Sequence, residues 1–377
     1  MLLDAGPETR PASQPTAVDR SGAPVVILGV SRSGTTLLKE MLDRHSQLAI
    51  PSESYFIPQL WDRHGPEVDA DAFVADLARL ERIGEWGVDP LAVRSRLADR
   101  VPFHRAIQAI YRCYAEARGS TRFGDKTPLY MQRLDCLERA FPGAQYVHIV
   151  RDGRDACVSF LAMQRRPRFN WSRPRGVAGF AAQWRMEIEA ARRLGGSVAA
   201  GRYMELSYER LVCDPGASLQ DVCAFLGLDF EDAMLDYHRQ VDPSALPDHE
   251  LLAGPPRPAR SRWREQMRPR DVRRFEAVAG ELLARLGYDR LHDAVRPVDR
   301  AVAAAARATL RLLVASWWAS IALVRRSPLW RLRQRYIHHT AGAQPDPRAP
   351  RPMSTAAAAG RGSRFERADQ GGPWCER

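Results

Sequence analysis

The segment PVVILGVSRSGTTLLKEMLDRH (24–45) constrains the fold more than any other stretch of the chain. Its first part is a nearly unbroken apolar run bounded by Pro24 and Gly29, the pattern of a strand covered on both faces within a parallel sheet. From Thr35 onward the apolar spacing becomes helical, and GVSRSGTT (29–36) forms the junction. A glycine-bearing loop between a buried strand and a helix is suited to an anion. Its N–H groups converge, the helix dipole helps, and Ser33, Thr35 and Thr36 add hydroxyls. The spacing from Gly29 to Gly34 matches G-x-x-x-x-G-K-[ST], but Thr35 stands in the lysine position. Kinases and ATPases place that lysine on the β- and γ-phosphates. Its replacement points to a ligand with a shorter phosphate chain, with Arg32 supplying charge from one side, and disfavours the alternative of a P-loop kinase or NTPase using a nucleoside triphosphate.

A second buried strand, QYVHIV (145–150), leads into RDGRDACVSF (151–160), and RYMELSY (202–208) reads as a third. Strands alternating with helical stretches predict an α/β fold with a central parallel sheet flanked by helices. Between 66 and 118 apolar residues recur at three- and four-residue spacing, which predicts an all-helical insertion, while FGDKTPLY (123–130) reads as a turn. Further helices are expected near 177–194, 217–226 and 271–286. Residues 1–22 are Pro/Ser/Thr-rich and read as a disordered leader; residues 23–300 form the body. An Ala/Arg-rich helical extension over 301–340 and a disordered tail over 341–377 complete the expected organisation. The N-terminus has acids and prolines where a secretory signal needs basic and apolar residues, so a cytoplasmic location is expected, with peripheral membrane contact through the extension left open.

Charge supports this division. The formal charge of +11 invites a nucleic-acid partner, but residues 1–300 hold 43 basic against 41 acidic side chains, and residues 301–377 hold 13 against 4. The body is nearly neutral and calls for no nucleic acid. Within 307–326, Leu310, Leu313, Val314, Trp317, Ile321 and Val324 share one helical face; Arg307, Arg311, Trp318 and Arg325 line the other. Too short to span a bilayer, the helix can lie at an anionic lipid surface, with Arg325, Arg326, Arg331, Arg333 and Arg335, or pack on the body or a second subunit. The six cysteines include no C-x-x-C pair, so reduced thiols are expected, and His338-His339 reads as an incidental surface pair.

RDGRD admits two readings. Asp152 can hold Mg²⁺ in the manner of a Walker-B acid, or Arg151 can fork onto a phosphate with Ser159 adding a hydroxyl. Arg154 and Asp155 read as a solvated pair. Only two of the 56 basic residues are lysines, Lys39 and Lys126. In a chain that otherwise writes arginine, Lys126 in GDKTP suggests that a compact ammonium is needed there.

GVSRSGTTLL, GDKTP, HIVRDGRDACVS and YERLVCDP, in this order, resemble the sulfotransferases that use 3′-phosphoadenosine 5′-phosphosulfate, over roughly residues 23–290. MLDRHSQLAIPSESYFIP (41–58) is most similar to the branch containing tyrosylprotein sulfotransferases and bacterial small-molecule sulfotransferases. The resemblance implies a P-loop-NTPase-like sheet, no metal, and 3′-phosphoadenosine 5′-phosphate as product. It places Arg32, Ser33, Gly34, Thr35 and Thr36 on the 5′-phosphate, Arg151 and Ser159 on the 3′-phosphate, and Tyr208 near the nucleotide. It makes Arg262, Trp263 and Arg264 of SRWREQ candidates to complete the 3′-phosphate pocket. Glu53 becomes the candidate general base toward an acceptor hydroxyl, while Lys126 and Arg32 neutralise charge on the bridging oxygen. The tyrosylprotein enzymes carry Glu-Glu-Thr-Arg where this chain has Ser-Glu-Ser-Tyr, so Tyr55 replaces an arginine. The insertion, about 60–120, is placed to cap an acceptor that is a small molecule, a glycan or a lipid alcohol. Tyr55, Phe56, Trp61, Phe73, Trp86, Phe103 and Tyr111 are expected mostly to pack between helices and in part to line that cap.

Overall fold

The computed structural model describes residues 22–166, 174–239, 252, 254–257 and 261–326. The expected leader, apart from Gly22, and everything expected beyond residue 326 lie outside the described residues. In chain order the body begins with β1 (Val25–Leu28), α1 (Thr35–Leu42), β2 (Leu48–Ala49) and α2 (Ile57–His64). The insertion adds β3 (Glu67–Asp69), α3 (Ala70–Leu77), α4 (Glu81–Glu85), α5 (Pro90–Arg94), β4 (Arg100–Pro102) and α6 (Phe103–Glu116). Next come β5 (Arg122–Asp125), α7 (Leu134–Ala140), β6 (Gln145–Val150), α8 (Gly153–Gln164), α9 (Gly176–Ser197) and β7 (Tyr203–Ser207). α10 (Tyr208–Cys213), α11 (Pro215–Leu226), α12 (Arg262–Gln266), α13 (Pro269–Arg285) and α14 (Pro297–Arg326) follow.

The central sheet has the order β2-β5-β1-β6-β7, and every neighbouring pair is parallel. β1 therefore stands in the middle, with its successors placed first on one side and then on the other. Loops leaving the carboxyl ends of strands at such a reversal diverge and open a crevice. Alternation along β1 feeds two cores. Val26 and Leu28 pack with the insertion and α7, whereas Val25 and Ile27 pack with α1 and α11. A third core joins α8, α9, α13 and α14 through Phe160, Trp184 and Phe275.

Two sequence expectations do not hold in the fold. FGD of the supposed turn is strand β5, fully buried between β1 and β2; it is too short, and too polar at Asp125, to show a period. The insertion is not all-helical, because β3 and β4 form an antiparallel ribbon pairing Val68 with Val101. Three-residue strands with a single buried side chain each leave no alternation to read. Of the aromatics assigned to the cap, Phe56, Phe73, Trp86, Phe103 and Tyr111 are core residues, with Tyr111 ringed by Phe56, Trp86, Phe123 and Phe141. Tyr55 and Trp61 remain partly exposed.

The apolar faces of α14 also divide differently. Ala303, Leu310 and Ile321 are buried and Val314 packs beside them, while Leu313 and Trp317 are 49% and 50% exposed. Arg133 lies over the ring of Trp318 at 5.0 Å, which places Trp318 on the packed side with Leu310. The helix thus packs on the body through a face rotated from the one the sequence suggested.

Candidate active site

Each of the five central strands delivers a polar side chain at or just beyond its carboxyl end. Arg32 follows β1, Glu53 follows β2, Lys126 follows β5, Arg151 follows β6 and Tyr208 follows β7. Five residues far apart in sequence gather at one edge of the sheet because parallel strands all point their ends the same way.

The loop after β1 folds back so that Ser33 N–H donates to the Val30 carbonyl at 3.0 Å, and Gly34 enters α1 in the left-handed region at φ 93°. A side chain at residue 34 would also strike the Tyr208 ring, its Cβ falling 2.4 Å from a ring carbon. Glycine is therefore required twice, by conformation and by close approach. Arg32 also has a positive φ, 71°, which turns its side chain toward α8, where Nε donates to Ser159 Oγ at 3.0 Å. Arg151 donates to the Arg32 carbonyl at 2.9 Å and stacks on Tyr208 with its guanidinium carbon 4.3 Å from the ring centre.

These groups line a cavity of about 300 Å³ together with Gly34, Thr35, Thr36, Ser159, Arg262 and Gln266. Burial, together with the nearby charges of Arg151, Arg166 and Arg262, pushes the Arg32 guanidinium down to about 10. Four mutually repelling cations around a small cavity are arranged for a multiply charged anion. Two buried polar atoms fit that reading, since Ser33 Oγ and Arg151 Nε have no hydrogen-bond partner among the described residues.

SRWREQ separates into three roles. Arg262 lines the cavity, Trp263 is buried beneath it with its N–H donated to Asp155 at 2.9 Å, and Arg264 faces solvent near Asp289 at 3.5 Å. Arg264 is thus not brought to the pocket. Nor is Asp152 available to a metal ion. It caps α8 by accepting the Arg154 N–H at 2.9 Å and holds the Arg154 side chain at 2.8 Å. Arg154 and Asp155 are not solvated either. Arg154 bridges Asp152 and Glu276 (2.9 Å) over the face of Trp263 (3.7 Å), and burial raises Asp155 to about 6. RDGRD is therefore a buried clamp that fixes Arg151. No group of three or more potential metal ligands exists among the described residues.

Glu53 and Lys126 meet on the opposite side of the loop. Lys126 Nζ lies 2.7 Å from Glu53 Oε1 and 3.3 Å from Thr36 Oγ1, tying the carboxylate to the first turn of α1. Tyr55, at φ 56°, donates its hydroxyl to Glu53 Oε2. Below them lies a network of buried side chains. Asp125 Oδ2 accepts from Ser54 (2.8 Å) and Tyr111 (2.6 Å), and Tyr130 Oη lies 2.7 Å from Ser54 Oγ and accepts the Ile57 N–H at 3.1 Å. Burial raises Asp125 to about 6 and pushes both tyrosines well above their ordinary values, so this network stays protonated and rigid around neutral pH apart from Asp125 itself. Lys39, the other lysine, is a structural residue paired with Asp43 at 3.0 Å.

Sequence reasoning missed Arg166, Arg257 and Tyr237 in the cavity wall. They converge from the end of α8 and from segments before α12, and only clustering of arginine around 165–175 hinted at the first.

The sequence model of the Sulfotransferase family matches residues 24–232, more than half of the chain, and the chain belongs to that family. Protein-tyrosine sulfotransferase 1 of Danio rerio is 28% identical over 288 residues, covering 70% of this chain and 72% of the relative. Nodulation protein NoeE of Sinorhizobium fredii is 27% identical over 326 residues, covering 80% and 75%. Among solved structures, the sulfotransferase domain from the Synechococcus PCC 7002 olefin synthase aligns with a TM-score of 0.46 at 25% identity, covering 74% of this chain and 99% of that one.

Proposed function

We propose that this sulfotransferase takes its sulfuryl group from 3′-phosphoadenosine 5′-phosphosulfate and passes it to an acceptor hydroxyl, with Glu53 as general base. The observation that carries this reading is the placing of Arg32, Glu53, Lys126, Arg151 and Tyr208 at the ends of the five strands, the Glu53–Lys126 pair being joined to the arginine-lined cavity through Thr36. The donor is a nucleotide with two separate anionic ends. The loop amides after β1, with Ser33, Gly34, Thr35 and Thr36, suit its 5′ end, while Arg151, Ser159 and Arg262 suit a 3′-phosphate, and Tyr208 offers a ring face. Trp263 supports Arg154 and anchors the helix carrying Arg262.

Transfer forms a bond from the acceptor oxygen to sulfur as the bond from sulfur to the bridging phosphate oxygen breaks. Glu53 receives the acceptor proton, and Lys126, with Arg32, balances negative charge developing on the departing phosphate. Lys126 already touches both Glu53 and Thr36, so one ammonium joins the base to the phosphate loop. The residues require no metal for these steps. The side chain at residue 55 contacts the base itself, so Tyr55 in place of arginine favours a small-molecule, glycan or lipid alcohol over a peptide tyrosine.

The test is transfer of labelled sulfuryl to a panel of hydroxyl acceptors in excess chelator. Product formed without ATP supports the proposal. Phosphoryl transfer from ATP that requires Mg²⁺, with no sulfuryl transfer, overturns it in favour of a P-loop kinase.

A further inference from the structure

α14 presents two apolar faces, and the body covers one. Ala303, Leu310 and Ile321 point inward, against α9, α13 and α2. Two residues on from each inward leucine or isoleucine, about 200° around the helix, the outward positions are again large and apolar. Leu312 is 72% exposed and Leu323 73%, with Leu313 and Val298 also facing solvent. Between them the same outer face carries Ala305, Thr309, Ser316, Ala319 and Ser320, all exposed and none charged. From Leu312 to Val324 the sequence contains no charged residue. Surface leucines scattered singly need no explanation, but an uncharged strip of them along one helix marks a contact surface.

The sequence flanking the strip identifies its partner. Arg325, Arg326, Arg331, Arg333 and Arg335 follow at once, with no acidic residue from 325 to 335. Two copies of this chain meeting through the strip would offer these arginines no acidic partner within it, since no Asp or Glu occurs from 300 to 345. An anionic lipid surface instead offers hydrocarbon to the leucines and negative charge to the arginines. No described helix is long and apolar enough to cross a membrane, so contact would be parallel to the surface. We propose that the outer face of α14, which ends in Arg325 and Arg326, docks this enzyme on an anionic bilayer. This inference is independent of the donor and acceptor proposed above.

Co-sedimentation of the full chain with phosphatidylcholine vesicles, with and without phosphatidylglycerol, tests it. The wild type should partition at least about tenfold more strongly onto the anionic vesicles, and salt should weaken that preference. The double variant Leu312→Glu, Leu323→Glu should lose at least about tenfold of the binding. Both side chains are exposed, so its melting temperature should be unchanged. A wild type that ignores anionic vesicles overturns the inference, as does a variant that binds them equally, which would leave the arginines alone responsible. Light scattering that shows a dimer dissociated by the same substitutions, without lipid binding, would assign the strip to a second copy.

Discussion

The arginine-lined cavity and the Glu53–Lys126 corner flank the same loop after β1, yet they are held in opposite ways. The cavity gathers Arg32, Arg151, Arg166 and Arg262 at mutual electrostatic cost and leaves Ser33 Oγ and Arg151 Nε without partners among the described residues. The corner pairs its charges, Lys126 with Glu53, over hydroxyls satisfied by Asp125. Under the proposed function, the difference reflects what each has to do. A site that binds a polyanion can crowd its cations, because the ligand's charge offsets their repulsion. A site that moves one proton must hold its base in a fixed place before the acceptor arrives.

Substitutions that act on one side alone sharpen this contrast. The largest effect is expected at the corner. Glu53→Ala should lower turnover by about 10²–10⁴-fold, with Lys126→Ala similarly severe, in a steady-state transfer assay. On the donor side, Arg151→Ala should weaken binding of 3′-phosphoadenosine 5′-phosphate by about ten- to a hundredfold in calorimetry, from loss of a charge-assisted contact. Equal loss of nucleotide affinity in the Glu53 and Arg151 variants would break the comparison.

Asp125 gives a pH readout of the corner. Its folded value, about 6, lies above the ordinary 3.8, so the folded chain holds more protons than the unfolded one between these values. Stability therefore falls as pH rises through that window, and the full penalty, on the order of 3 kcal/mol, stands above pH 6. Asp125→Asn should flatten the slope seen in chemical denaturation between pH 4 and 6, roughly by a third. Asp155, also raised to about 6, and Glu187, raised to about 7 by burial, act with the same sign in this window. An unchanged slope would mean that Asp125 is not held in the protonated range. The smallest effect belongs to Tyr55→Phe, which removes one hydrogen bond to Glu53 and should lower turnover only a few-fold, without changing nucleotide affinity.

The same contrast explains what could be read from the sequence. The loop GVSRSGTT was legible as a strand–turn–helix junction because its parts are contiguous, and Arg151 and Ser159 do line one cavity with it. The parallel sheet followed from the buried runs at 25–28 and 145–150, whereas β5 went unread because three polar or small residues occupy a strand of four. Glu53 and Lys126 were found singly, but nothing at a separation of 73 residues announces their ion pair. Asp152 was ambiguous by nature, since an acid after a buried strand serves equally as a metal ligand or a helix cap. The Arg154 clamp decides for the cap. On α14 the period was read correctly and the buried face was not, because both faces are apolar and only packing against the body distinguishes them.

The division of labour at this site can be tested in one measurement, calorimetric titration of 3′-phosphoadenosine 5′-phosphate into the wild type and the Glu53→Ala and Arg151→Ala variants in excess chelator. The account predicts metal-independent binding to the wild type, affinity kept within about twofold in Glu53→Ala, and a loss of about tenfold or more in Arg151→Ala. Binding that vanishes with chelator, or that depends on Glu53 rather than Arg151, would contradict it.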